Sequence, residues 1–154
     1  MISGAACGGL NAILFQVLQI VIDTNVLVAA MRSRRGDSNR LLRHLGDPRW
    51  QVNISTALIL EYEEVLRRQA AAGAFIFALV EIIVDRFCAV GRENSIFFRW
   101  RPFLADADDE FLLELAVRCQ CDYLISFDER HLAPAATFGV KVVTPHEFLK
   151  IMDL

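Results

Sequence analysis

The chain has 154 residues, which is enough for one domain with a substantial core. Hydrophobic residues make up 55% and charged residues 23% of it, a composition that excludes intrinsic disorder. It predicts either strands that are buried on both faces or an apolar surface that is hidden in an oligomer. The formal net charge is −3, so binding of nucleic acid through overall positive charge is disfavoured. A local acidic site that holds divalent cations stays compatible with this charge.

The first 22 residues contain no charged side chain. A signal peptide would need a basic n-region, and glycine, asparagine and glutamine residues interrupt the apolar run. We therefore expect a cytoplasmic protein with no membrane span, in which residues 1–17 form an N-terminal appendage and residues 18–154 form the domain. The cysteines show no zinc-type spacing, so we expect small buried residues with free thiols: Cys7, Cys88, Cys119 and Cys121.

Short apolar strands alternate with helices along the chain. In order, we predict a strand at 18–23, helices at 24–31 and 38–45, a weaker strand at 51–54, helices at 56–72 and 75–90, a weaker strand at 97–104, a helix at 107–119, strands at 123–127 and 140–143, and a final helix that begins at Thr144-Pro145. This alternation predicts an α/β sandwich with a mainly parallel central sheet.

Two of the apolar strands end in an aspartate, Ile-Val-Ile-Asp23 and Leu-Ile-Ser-Phe-Asp128. In parallel sheets the carboxyl ends of the strands meet at one edge, where binding sites form. Two carboxylates at that edge repel each other, and a divalent cation removes the repulsion. The alternative is that each aspartate only caps the helix or turn that follows.

Glu61 is the next candidate acid. Its neighbours Glu63 and Glu64 each have an arginine four residues further on, but Glu61 has Val65 at that spacing and lies at the border of the apolar helix face. Its carboxylate is thus expected to find a partner elsewhere, a metal ion being one candidate, unless it simply reaches water.

Four acids within five residues open the helix predicted at 107–119: Asp106, Asp108, Asp109 and Glu110. Asp106 can cap the helix, and acids in a first turn are favoured by the helix dipole. Capping needs only one or two of them, so the cluster also predicts that one or two carboxylates face a cation.

These motifs together resemble the PIN-domain family, and most closely the bacterial and archaeal PIN proteins that serve as toxins of toxin–antitoxin pairs. The resemblance rests on Val-Ile-Asp23-Thr-Asn25, on Ser55 followed by Glu61, on Asp109 followed by Ala116, and on Ile-Ser126-Phe-Asp128, and it spans about 18–151. The long lead before Asp23 departs from the family pattern.

The resemblance implies a three-layer α/β/α fold and an Mg²⁺- or Mn²⁺-dependent endoribonuclease. It places the catalytic and metal-binding acids at Asp23, Glu61, Asp109 and Asp128, with Asn25 and Ser126 supporting them and Asp106 and Asp108 as auxiliaries. It also implies an RNA substrate, a small antitoxin protein as partner, and a homodimer.

Cations that could contact substrate phosphates follow the first acid, and we name Arg32, Arg34, Arg35 and Arg40, each of which could equally be a solvated surface residue. Arg99, Trp100 and Arg101 combine charge with a stacking ring. Two rival interpretations stay open. One is an Asp-nucleophile phosphatase, disfavoured because Asp23-Thr-Asn25 lacks its second acid. The other is a catalytically silent PIN scaffold that binds RNA or protein.

Overall fold

The computed structural model describes residues 16–96 and 110–154. Within them the chain forms a five-stranded sheet in the order β3-β2-β1-β4-β5, and each neighbouring pair of strands is parallel. The strands are β1 (Leu18–Ile22), β2 (Trp50–Ile54), β3 (Arg92–Glu93), β4 (Tyr123–Ile125) and β5 (Lys141–Val143). The mainly parallel α/β prediction is confirmed.

Helices flank this sheet and complete a three-layer α/β/α sandwich. They are α1 (Thr24–Arg32), α2 (Asp37–Arg43), α3 (Thr56–Ala71), α4 (Phe77–Val90), α5 (Glu110–Arg118) and α6 (Pro145–Ile151), with a 3₁₀ helix at Ala133–Phe138. Strand β1 lies at the centre, and Ile20, Val21 and Ile22 are completely buried. A parallel strand covered on both faces needs such an uninterrupted apolar run, because neither face meets water.

Local sequence signals fix the beginnings of two helices. The Ser55 hydroxyl accepts a hydrogen bond of 3.3 Å from the Leu58 amide and caps α3. Thr144 and Glu147 form a reciprocal capping box at α6, with Pro145 in the first turn. Both helices begin where the sequence predicts them, at 56 and at Thr144-Pro145.

Helix α4 ends where its backbone closely approaches β2. A Cβ atom at Gly91 would lie 2.6 Å from the carbonyl oxygen of Phe87 and 2.9 Å from Cδ1 of Ile54. Only glycine fits this contact, which turns the chain directly from α4 into β3 at the edge of the sheet.

Three features differ from the predictions. Strand β3 and the 3₁₀ helix were not predicted, because Arg92–Glu93 is too short and polar to show a strand pattern and Ala133–Phe138 has no helical periodicity. Cys88 was expected to be buried and is exposed on α4, whereas Cys121 is buried and Cys119 is partly exposed. The apolar neighbours of Cys88 made its position look interior, although much of α4 faces solvent.

Several predictions lie outside the described residues: most of the 1–17 appendage, the strand at 97–104 with its Arg-Trp-Arg triplet, and the start of the helix at 106–109. Among the helices that are described, none combines the length and apolar character that crossing a membrane requires.

Candidate active site

Asp23 follows β1 directly and occupies the N-cap position of α1. Its side chain makes no capping hydrogen bond, and only 7% of the residue is exposed. Burial raises the pKa of its carboxyl, and the negative charge of Asp128 raises it further, against the lowering effects of the Ser126 hydroxyl and the amides of Thr24 and Asn25. Asp23 is thus a buried acid whose charge is only partly compensated, and not simply a helix cap.

Ser126 connects the two strand-end aspartates. Its hydroxyl donates a 2.6 Å hydrogen bond to Oδ2 of Asp23 and accepts one of 2.9 Å from the Asp128 amide and one of 3.1 Å from Nδ2 of Asn25. A hydroxyl has one proton and two lone pairs, so its hydrogen-bonding capacity is full. The structure therefore brings together Asp23, Asn25, Ser126 and Asp128, which were all predicted site residues.

Glu61 joins this group from helix α3. The hydroxyl of Thr24, the residue after Asp23, donates a hydrogen bond to Oε2 of Glu61. The expectation that Glu61 finds a partner away from its own helix is confirmed. The partner is a neighbour of the first acid, so the third candidate carboxylate lies on the same side of the sheet.

Tyr62 explains why α3 presents Glu61 at this place. Its ring is completely buried against Phe87, and its hydroxyl donates a hydrogen bond to the carbonyl of Ile22, the residue before Asp23. Burial raises the pKa of Tyr62 well above its usual value, and the charges of Asp23 and Glu61 raise it further, so its proton stays on this bond. The pair of bonds from Thr24 and Tyr62 fixes α3 against the end of β1.

Asp128 is more open than Asp23, with 36% of its side chain exposed. Nδ1 of His131 lies 2.8 Å from Oδ1 and 2.9 Å from Oδ2 of this carboxylate. This contact places His131 where it can orient the Asp128 carboxylate.

The remaining predicted acids, Asp106, Asp108 and Asp109, lie outside the described residues. Within residues 16–96 and 110–154, no three His, Cys, Asp or Glu side chains are close enough together to hold a metal ion. Asp23, Glu61 and Asp128 are therefore not grouped closely enough to hold a metal ion as a set of three.

The predicted phosphate-binding arginines lie at the end of α1, in the loop that follows it and on α2. Arg32 ends α1, about 12 Å along the helix axis from Thr24, and its guanidinium contacts Gln69. Arg40 pairs with Asp37 at 3.2 Å, and Arg34 and Arg35 are exposed in the loop between α1 and α2.

Two residues that shape the site were not singled out from the sequence. Thr24 follows a strand-end acid directly, and a hydroxyl at that position can bond to another group of the site, here Glu61. Tyr62 lies on the buried face of α3, and only the fold shows that its hydroxyl meets the carbonyl of Ile22.

Strand-end acids linked at one edge of a parallel sheet lie where open α/β folds form their binding sites. The family model that describes the PIN domain matches residues 19–130. This span starts inside β1, ends beyond Asp128 and covers most of the chain, so the protein belongs to the PIN-domain family. PIN domains are in general nucleases, which places the chain in the hydrolase class at that level. No curated protein matches the sequence.

Proposed function

We propose that this protein is a metal-dependent endoribonuclease in which Asp23, Glu61, Asp109 and Asp128 form the catalytic and metal-binding set. The observation that carries the proposal is the pair of links across the sheet edge. Ser126 joins Asp23 to the Asp128 backbone. Thr24, the residue next to Asp23, donates a hydrogen bond to Glu61. Carboxylates distant in sequence therefore lie on one side of the sheet, as the chemistry requires.

The donor set fits Mg²⁺ or Mn²⁺. Hard cations take oxygen ligands, and every proposed ligand is a carboxylate. Burial and the charge of Asp128 both raise the pKa of Asp23, so a cation beside Asp23 would relieve an unfavourable charge. Since the described acids do not complete a site, the proposal assigns the missing ligand to Asp109, with Asp106 and Asp108 as auxiliaries.

A bound divalent ion would supply an activated water and charge stabilisation at the scissile phosphate. The protein's own residues prepare the place. Ser126 and Asn25 hold the Asp23 carboxylate in one orientation, Thr24 holds Glu61, and His131 contacts Asp128. The saturated hydroxyl of Ser126 leaves Asp23 little freedom to turn, so its second oxygen keeps a constant direction.

The resemblance to PIN toxins supports a wider proposal, in which the protein acts on RNA in the cytoplasm, forms a homodimer and is inhibited by a small antitoxin. Exposed apolar side chains on adjacent helices suit a dimer, with Leu60 on α3 at 60% exposure and Ile82 on α4 at 64%. A basic side chain of the antitoxin would complement the acidic site.

The test measures RNA cleavage with Mn²⁺ or Mg²⁺ by the wild type and by Asp23→Asn, Asp128→Asn and Asp109→Asn, each made separately. Loss of a ligand should lower kcat/KM more than the 10- to 100-fold that is typical of residues that only support ligands. Asp85→Asn, which removes an exposed carboxylate on α4, is the matched control and should retain full activity.

Undiminished cleavage in any one of the three variants would remove that residue from the site. A folded wild-type protein that cleaves no RNA with either metal would overturn the nuclease proposal and favour the silent binding scaffold.

A further inference from the structure

Phe127 is an exposed aromatic residue inside the candidate site. It lies between Ser126, which is completely buried, and Asp128, and 52% of Phe127 is exposed. It lies two residues beyond the end of β4, on the side of the sheet where Asp23 and Asp128 lie. A large apolar ring in the middle of a hydrogen-bonded polar segment contributes nothing to the core.

The backbone around Phe127 is held in place. Its amide donates a 3.4 Å hydrogen bond to Oδ1 of Asn25. On one side of Phe127, Ser126 carries the hydroxyl that bonds to Asp23, and on the other side the Asp128 amide donates a hydrogen bond to that hydroxyl. The ring is therefore presented to solvent from a segment whose position is fixed by the same network that orients Asp23.

We propose that the Phe127 ring is a stacking platform for an unpaired nucleobase of the substrate, next to the phosphate that is cleaved. The proposal rests on the nuclease function above and deepens it by naming a base-binding residue. Aromatic side chains bind single-stranded nucleic acid by stacking, and every base offers a π face, so this contact gives affinity with little base preference.

The spacing along the chain suits this role. Consecutive Cα atoms lie about 3.8 Å apart, so the ring is attached one residue from Asp128, a proposed metal ligand. A phosphate bound at the acids thus brings its neighbouring base within reach of Phe127. A base within a duplex is stacked on both sides and offers no free face, so the contact requires an unpaired or extruded nucleotide.

The experiment compares steady-state cleavage of a single-stranded RNA oligonucleotide by the wild type and by Phe127→Ala, Phe127→Leu and Phe127→Trp. Stacking acts before the chemical step, so Phe127→Ala should raise KM about tenfold and leave kcat within about twofold. Phe127→Trp should retain the wild-type KM. Phe127→Leu should resemble Phe127→Ala, because it keeps apolar bulk but has no π face.

Phe77→Ala is the matched control. Phe77 is 54% exposed, nearly the same as Phe127, but it begins α4, which follows the far end of α3 from Glu61. A second arm replaces the base on either side of the cleaved phosphate by an abasic site. The wild type should have a higher KM for one of these two abasic substrates than for the intact RNA. Phe127→Ala should have the same KM for that abasic substrate as for the intact RNA.

An unchanged KM in Phe127→Ala overturns the proposal and leaves the ring as a contact for a protein partner. A fall in kcat alone, or weaker Mn²⁺ binding, also overturns it, because the ring then only supports the acids. The two kinetic results, an unchanged KM and a fall in kcat alone, require a wild type that cleaves RNA. Absence of cleavage by the wild type is instead the failure of the nuclease function itself.

Discussion

Ser126 donates a 2.6 Å hydrogen bond to Asp23 across 103 residues of sequence. The sheet register accounts for this contact, since Ile22 of β1 pairs with Ile125 of β4 and the next residue on each strand is Asp23 and Ser126. Asp128 lies two residues further on. The Ser126 hydroxyl, and not the carboxylate of Asp128, therefore lies directly beside Asp23. The same hydroxyl accepts a hydrogen bond from the Asp128 amide.

Removing this hydroxyl by Ser126→Ala should impair the site without unfolding the protein. The Ser126 hydrogen bond is the largest of the effects that lower the pKa of Asp23, so its loss makes the carboxylate harder to ionise and freer to turn. We expect Mn²⁺ affinity and kcat/KM to fall about 10- to 100-fold, as for other residues that orient metal ligands. Isothermal titration with Mn²⁺ and a cleavage assay measure the two effects.

Ser38→Ala is the control for Ser126→Ala, because Ser38 is a buried serine on α2, with 5% exposure. It should leave Mn²⁺ affinity unchanged. Equal losses in both variants would show that any buried serine matters through stability and that Ser126 has no special role.

Asp23→Asn should stabilise the metal-free protein while it abolishes cleavage. Burial raises the pKa of Asp23 in the folded state above the unfolded value of about 3.9. Between the unfolded and the folded pKa, the folded state therefore binds more protons than the unfolded state. The stability of the wild type falls as the pH rises through this range. Asparagine has no charge to bury and still accepts from Ser126. We expect a gain of about 1 kcal/mol, typical when a strained functional residue is replaced.

Urea unfolding in EDTA tests this, with wild type and Asp23→Asn compared at about pH 7 and about pH 3. The advantage of the variant should be present at the higher pH and absent at the lower one, where aspartic acid is neutral in both states. A wild type more stable than the variant at about pH 7 would contradict the assigned effect of burial.

Thr24→Val removes the hydroxyl that holds Glu61 and keeps the shape of the side chain. Because the Glu61 carboxylate loses its donor from the neighbour of Asp23, we expect kcat/KM to fall about tenfold, the lower end for a supporting residue. Thr24→Ser retains the hydroxyl and should recover most of the activity. Full activity in Thr24→Val would contradict this role, because it would show that the hydrogen bond to Glu61 is dispensable.

Much of the fold could be predicted because local patterns and packing agree. The run from Ile20 to Ile22 is apolar at every position, as a strand covered on both faces must be, and Ser55 and Thr144 are capping residues at helix starts. Strand β3 shows the limit of this reasoning. Two exposed polar residues form a strand only because the turn at Gly91 places them beside Asn53 and Ile54 of β2.

The sequence predicts candidate site residues but not the contacts between them. A strand-end aspartate is visible in the sequence, yet which groups compensate it depends on register and on helix placement. Thr24 reaches Glu61 only because the Tyr62 hydroxyl fixes α3 at the carbonyl of Ile22, and no pattern in the chain encodes that contact. The position of Arg32 depends on helix placement in the same way, since α1 carries it about 12 Å along the helix axis from Thr24.

The turn between α5 and β4 leads to a prediction about thiol reactivity. Cys121 is 4% exposed, and its thiol donates a 2.7 Å hydrogen bond to the carbonyl of Tyr123, whereas Cys119 is partly exposed. Hydrogen bonding with the Cys121 thiol lowers the pKa of Cys119, and burial raises the pKa of Cys121 well above the usual value. Cys119 should therefore form a thiolate at a lower pH than an ordinary cysteine and be alkylated before Cys121.

Peptide mass spectrometry after brief iodoacetamide treatment across a pH series measures the alkylation rate at each cysteine, with exposed Cys88 as the internal reference for access. In Cys121→Ala the thiol that lowers the pKa of Cys119 is gone, so the midpoint of the Cys119 profile should move to higher pH. The thiolate is the nucleophile, so the rate at a pH below that midpoint should fall with the thiolate fraction. A Cys119 profile that is the same with and without the Cys121 thiol would show that the lowered pKa has another source, and faster labelling of Cys121 would show that the turn opens to solvent.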